Sequence, residues 1–164
     1  MKNFIFLGFV AVFVSGCLAI PKNRADFVKL SESQGVDSNK LSVVINKPLS
    51  YVNRRLAYLS NKCLNKNIVM SSRRGFETSR IELDYLSSFK RVNKNKSELT
   101  IRTSTSTLIG SKQSTIIFTA DVTPLARKKT KLRINKVYGY NHFVGIVKKS
   151  ASGKMKGCPA NIHQ

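Results

Sequence analysis

The sequence predicts an α+β fold in which one amphipathic helix packs on a curved antiparallel sheet of five to seven strands. Two patterns carry this. Between Leu49 and Cys63 apolar residues recur at steps of three and four, at Leu49, Val52, Leu56, Leu59 and Cys63, which is the period of a half-buried helix. Further on the period falls to two: Ile81, Leu83 and Tyr85; then Leu99, Ile101, Thr103, Thr105 and Thr107; then Ile116, Phe118, Ala120 and Val122. That is the pattern of strands with one face buried.

The first residues belong to a different regime. Lys2 is followed by the apolar run Phe4 to Val14 and the small pair Ser15-Gly16, the layout of a secretion signal over residues 1–16. The stretch Phe4 to Ile20 carries no charge, so an uncleaved membrane anchor is the competing reading, though it sits at the lower limit of length for spanning.

Val14-Ser15-Gly16-Cys17 resembles the lipobox of bacterial lipoproteins: an aliphatic residue, a small residue, Gly or Ala, then cysteine. The resemblance implies cleavage before Cys17, a diacylglycerol thioether on its sulfur and acylation of the new amino terminus. Cysteine suits this chemistry because a thiolate is the better nucleophile near neutral pH. Several acyl chains, at about 0.8 kcal/mol per buried CH2, anchor a protein where one chain is marginal. Leu18 follows the cysteine in place of aspartate, which by the same resemblance implies the outer membrane, facing the periplasm.

Residues 17–40 are polar and lack a sustained apolar period, so they read as a lipid-anchored flexible tether. Residues 41–164 then form a single domain, since a chain of this size suits one core. The β-branched run Leu41 to Asn46 reads as a buried first strand, and Pro48 opens the helix at a position where its missing N–H costs nothing. Strands follow around "IVMSS" after the helix, with a turn at Gly75. "KRVNKNK" reads as a basic connection, Gly110-Ser111-Lys112 as a turn, and Pro124 as a turn leading into "ARKKTK". Leu132, Ile134, Tyr138 and Tyr140 read as one strand and Phe143 to Val147 as the last. The β-α-β-β-β order resembles helix-grip domains, which envelope lipoproteins of outer-membrane assembly machines also use.

Charge is the other strong signal. The 164 residues hold 29 Lys and Arg against 8 Asp and Glu, a formal net charge of +21. From Val122 to Gln164 there are ten basic residues and no acid. Arg127, Lys128, Lys129, Lys131, Lys148, Lys149, Lys154 and Lys156 form two basic segments, read as exposed, one between strands and one after the last strand. Such a surface attracts polyanions over a distance set by salt. Secretion argues against nucleic acid, leaving an anionic envelope polymer, lipid phosphates or an acidic envelope protein, beside the plainer reading that the charge serves solubility.

With Cys17 assigned to lipid, Cys63 and Cys158 remain and in an oxidising compartment pair as a disulfide. Closing a loop of about 95 residues stabilises by at most about 4.7 kcal/mol on the chain-entropy account. Zinc held by Cys63, Cys158, His142 and His163 is the rival, but the spacing lacks the close ligand pairs of structural sites.

Catalytic signatures are missing from the sequence: there is no glycine-rich phosphate loop, nucleophile elbow or His-rich metal motif. Glu82 and Asp84 share a strand face beside Arg80, an arrangement usual for a solvated surface. The expectation is therefore a non-catalytic interaction module without cofactor. Its alternative is a carrier enclosing a small apolar ligand between helix and sheet, which requires a lined cavity of several hundred Å3.

Overall fold

The computed structural model describes Pro21 and residues 23–33, 40–74, 77–106 and 113–160. In chain order these form α1 (Arg24–Ser33), β1 (Lys40–Ile45), α2 (Leu49–Tyr58), a π-helical turn (Leu59–Leu64), β2 (Lys66–Arg74), β3 (Glu77–Asn93), β4 (Lys96–Ser106), β5 (Gln113–Ala126), β6 (Lys129–Lys136) and α3 (Asn141–Ser152). The signal segment, Cys17, Gly75, Thr107, Gly110 to Lys112 and His163 lie outside the described residues.

The fold is α+β, as predicted. Strands β2 to β6 run as an antiparallel meander, and β1 joins beside β6, giving the open order β1-β6-β5-β4-β3-β2. β1 and β2 are thus edge strands on opposite sides of the sheet, and α2 makes the crossing between them.

Helix α2 lies over one face because its stripe fits there. Val52, Leu56, Leu59 and Cys63 are fully buried, in one cluster with Leu99, Ile101, Phe118, Ala120, Val122, Leu132 and Ile134. Full burial of each such aliphatic side chain contributes roughly 1.5–3 kcal/mol. The π-helical turn at the end of α2 buries Leu59, Ser60, Cys63 and Leu64. That turn is held to β3: Ser87 Oγ lies 2.9 Å from the Ser60 carbonyl, and the Ser87 N–H donates to Asn65 Oδ1 at 2.6 Å.

The structure corrects the sequence reading in several places. Phe143 to Val147 is not a strand but the first half of α3, which buries Phe143, Ile146, Val147, Ser150 and Ala151. These residues repeat at three and four, so the helical period becomes visible only when the run is followed past Val147. The helix ends at Gly153, whose φ of 82° is left-handed; the Lys154 N–H donates to Lys149 O at 2.9 Å, closing the last turn. Tyr138 and Tyr140 lie in the link after β6. Strand β5 runs through Pro124 to Ala126; Pro124 sits beyond the last β4–β5 pair, Ser97 with Val122, and beside a bulge, where a strand tolerates proline. "KRVNKNK" is mostly strand, with only Lys94 and Asn95 as the β3–β4 turn.

The expected tether is also partly ordered. Residues 24–33 form α1, which packs on the sheet face opposite α2 and α3: Glu98, Thr100, Thr119 and Asp121 alternate with the core residues Leu99, Ala120 and Val122, and α1 meets this second face. Phe27 is 2% exposed. Arg24 Nη2 donates to Asp121 Oδ1 at 2.6 Å and Nη1 to Thr100 Oγ1 at 3.2 Å, while Nε lies 3.3 Å from Glu98 Oε2. Lys96 Nζ joins the same carboxylates, 2.9 Å from Glu98 and 3.4 Å from Asp121.

A candidate anion-binding groove

The first strand ends at Ile45, and Asn46 and Lys47 lead to the proline that starts α2. Thr130, opposite Ile45 in the register, donates from Oγ1 to the Lys47 carbonyl at 2.8 Å, so this short link is fixed to β6. Across from it runs the C-terminal half of α3. Between the two lies a half-open groove of about 540 Å3, lined on one side by Val44, Ile45, Asn46 and Lys47 and on the other by Gly145, Lys148, Lys149, Ser152 and Lys154.

Four lysines line this groove, and among the described residues no acidic residue does. Among the described residues, ion pairs engage Arg24, Lys40 and Lys96 but none of Lys47, Lys148, Lys149 and Lys154. Glu98 and Asp121 are spent on the α1 face, and Glu32 on Lys40. Among the described residues no ion pair therefore offsets the charge of these four lysines. Lys47 also sits 5.3 Å above the Tyr51 ring, with Arg54 5.9 Å from the same ring.

The wall formed by the α3 C-terminus is held from α2. Arg55 donates from Nε to the Ser150 carbonyl at 3.4 Å and from Nη2 to the Met155 carbonyl, and Ser150 Oγ returns a bond to the Arg55 carbonyl at 3.3 Å. Beyond Met155 the chain reaches Cys158, whose sulfur is 2.06 Å from that of Cys63, with the two Cα atoms 5.1 Å apart. Lys154 and Lys156 thus lie on a segment fastened at both ends.

The sequence-predicted basic residues divide into two groups. Lys148, Lys149 and Lys154 line the groove, and Lys156 is exposed just past it. Only Arg127 and Lys128 form the β5–β6 turn; Lys129 opens β6, and Lys131 is a half-buried strand residue opposite Val44. The expectation that Arg127 to Lys131 form one exposed connection, and that Lys148 to Lys156 follow a last strand, is corrected accordingly. The β1–β6 pairing brings the first group to the same corner as the second, since the groove begins at Val44 and Ile45, opposite Lys131 and Thr130. Lys47 was not anticipated. It stands alone before a proline in sequence, and only that pairing and the position of α3 give it company.

The other candidate residues fall elsewhere. Asp84 accepts a bond from Asn67 Nδ2 at 2.6 Å, with Glu82 two residues along the same strand. His142 lies at the start of α3 with its ring 4.3 Å from that of Phe143, at the opposite end of the helix from the Cys158 segment. Among the described residues no cluster of three metal-ligating side chains occurs, and no helix is long and apolar enough to cross a membrane.

Under α2 the face of the sheet is filled by side chains, with Val52, Leu56 and Leu59 fully buried against it. A second hollow of about 440 Å3 opens at the start of α2, with a mixed lining of Leu49, Ser50, Asn53, Phe89, Arg91 and Lys94.

No protein-family model matches the chain, and no curated protein matches it in sequence. What the fold and the groove define is a class by construction: an open antiparallel sheet with helices on both faces and a cationic cleft at one edge.

Proposed function

We propose that this chain is a non-catalytic interaction module of the bacterial envelope, anchored by lipid on Cys17 at the outer membrane and facing the periplasm, and that its groove captures an anionic group. The carrying observation is the grouping of Lys47, Lys148, Lys149 and Lys154 around one cleft with no acid in its lining among the described residues. An exposed ion pair contributes only about 0.2–1 kcal/mol. Four such pairs acting together reach at most about 4 kcal/mol, the level of millimolar binding, so the anion must engage several lysines at once. A polyanion or an acidic partner protein meets that requirement, and a single small anion does not. The filled space between α2 and the sheet supports this reading over the ligand-carrier alternative.

Binding of polyphosphate to the purified domain, measured calorimetrically at low and physiological salt, tests the proposal. The expected result is binding that weakens steeply with salt and is lost in Lys148→Glu/Lys149→Glu, with the fold intact by circular dichroism. Binding unchanged in that variant would reduce the lysines to a solubility feature.

A further inference from the structure

We infer that the groove receives an extended acidic segment of a partner protein, which adds to the sheet as a strand beside β1. This rests on the proposed anion-binding role of the groove and specifies its ligand.

Three features point to a strand. Among the described residues β1 is an edge strand, paired to β6 alone, so alternate residues direct their N–H and C=O groups away from the sheet. Its sequence KLSVVI has no proline and no bulge in its pairing, and its one charge, Lys40, stands at the first residue, away from residues 44–47, which line the groove. The opposite wall is a helix. A cleft between a strand edge and a helix is the shape that accepts one extended chain, the edge supplying main-chain bonds and the helix contacting alternate side chains.

The charge specifies the chemistry of that chain. Side chains of an added strand that point toward α3 meet Lys148, Lys149 and Lys154, with Lys47 at the end of the edge. Residues at every second position should then be Asp or Glu. A bilayer fits less well, because a flat headgroup layer cannot enter a concave cleft, whereas a single chain can.

The experiment uses the folded domain and a peptide of about eight residues alternating Glu and Val, enough to span a six-residue strand. Two further peptides carry N-methyl groups on the Glu positions only or on the Val positions only, which removes N–H donors without changing charge. Strand addition predicts that the parent binds, that one methylated peptide loses at least tenfold while the other retains its affinity, and that Lys148→Glu/Lys149→Glu weakens the parent at least tenfold. Equal affinity of all three peptides, or a flat response to that substitution, would overturn it. If the parent fails to bind but polyphosphate or phosphatidylglycerol vesicles bind through the same lysines, strand addition is wrong and the anion groove stands. If no anionic probe binds, both readings fall.

Discussion

A Cβ placed on Gly153 would stand 2.3 Å from the hydroxyl oxygen of Tyr51. The residue that ends α3 is thus pressed against a side chain of α2, at the point where the groove wall turns toward Lys154. Two separate requirements meet at this glycine: its φ of 82° and the room Tyr51 occupies.

Gly153→Ala should therefore destabilise by more than the about 1–2 kcal/mol of a left-handed backbone alone. In a Tyr51→Phe background the nearest remaining ring atom is 3.3 Å from the new Cβ, so the cost should fall toward that backbone value. Urea titration of the four proteins in the cycle gives the contact term directly. Equal costs in both backgrounds would mean that Tyr51 moves aside freely.

Reduction of the Cys63–Cys158 bridge should lower stability by about 2–4 kcal/mol. Cys158→Ser is the cleaner variant, because Cys158 is exposed whereas Cys63 is fully buried and its truncation would also open a cavity. Mass spectrometry of unreduced protein purified from an oxidising compartment should find the two peptides linked. Free thiols at both positions would refute the pairing.

Stability should be level from neutral pH to about 10 and decline above it. Tyr85 is pushed above its ordinary range by burial and by the neighbouring Tyr140, and Tyr140 by burial. Lys96 is raised chiefly by its hydrogen bond to Glu98, with Asp121 adding to it. All three hold a proton more tightly folded than unfolded, so above the unfolded-state values near 10 the unfolded chain releases protons first and gains. Urea midpoints between pH 8 and 11 check the sign, and Tyr85→Phe with Tyr140→Phe should flatten the decline. A midpoint that rises with pH in this window contradicts the assignment.

Arg24→Ala removes the guanidinium shared by Glu98 and Asp121 but leaves Lys96 to neutralise them. About 1–2 kcal/mol should be lost, as for other partly exposed bonds to charged groups. Amide exchange should quicken across α1 while β4 and β5 stay protected. Unchanged exchange in α1 would mean that Phe27 alone holds the helix.

Cys17→Ser should abolish incorporation of a fatty-acid probe in cells and leave an unprocessed precursor of higher mass. Persistent labelling would remove the lipid anchor from the proposed function.

The sheet was legible in the sequence wherever one face alone is buried, because alternation at Leu99 and Ile101, or at Leu132 and Ile134, leaves little choice of secondary structure. Phe143 to Val147 misled because four apolar residues around Gly145 are too short a run to show a period; the helix declares itself only at Ser150 and Ala151. Helix α1 was hidden for another reason. It buries Phe27 and draws its remaining hold from Glu98 and Asp121, far along the chain, and no local pattern encodes such a partnership. The groove lay between these extremes: Lys148, Lys149 and Lys154 stood out by charge, whereas Lys47 became their neighbour only through the pairing of β1 with β6.

Pinning Arg24 to the sheet changes how far the domain can travel. A tether of residues 17–40 would let it wander well above a bilayer, but the seven peptide steps from Cys17 to Arg24, even fully drawn out, cover at most about 25 Å. On the proposed lipid anchor, the domain is confined to the water layer next to its own membrane, with the start of α1 nearest the attachment. Any partner rooted elsewhere in the envelope must itself supply the reach.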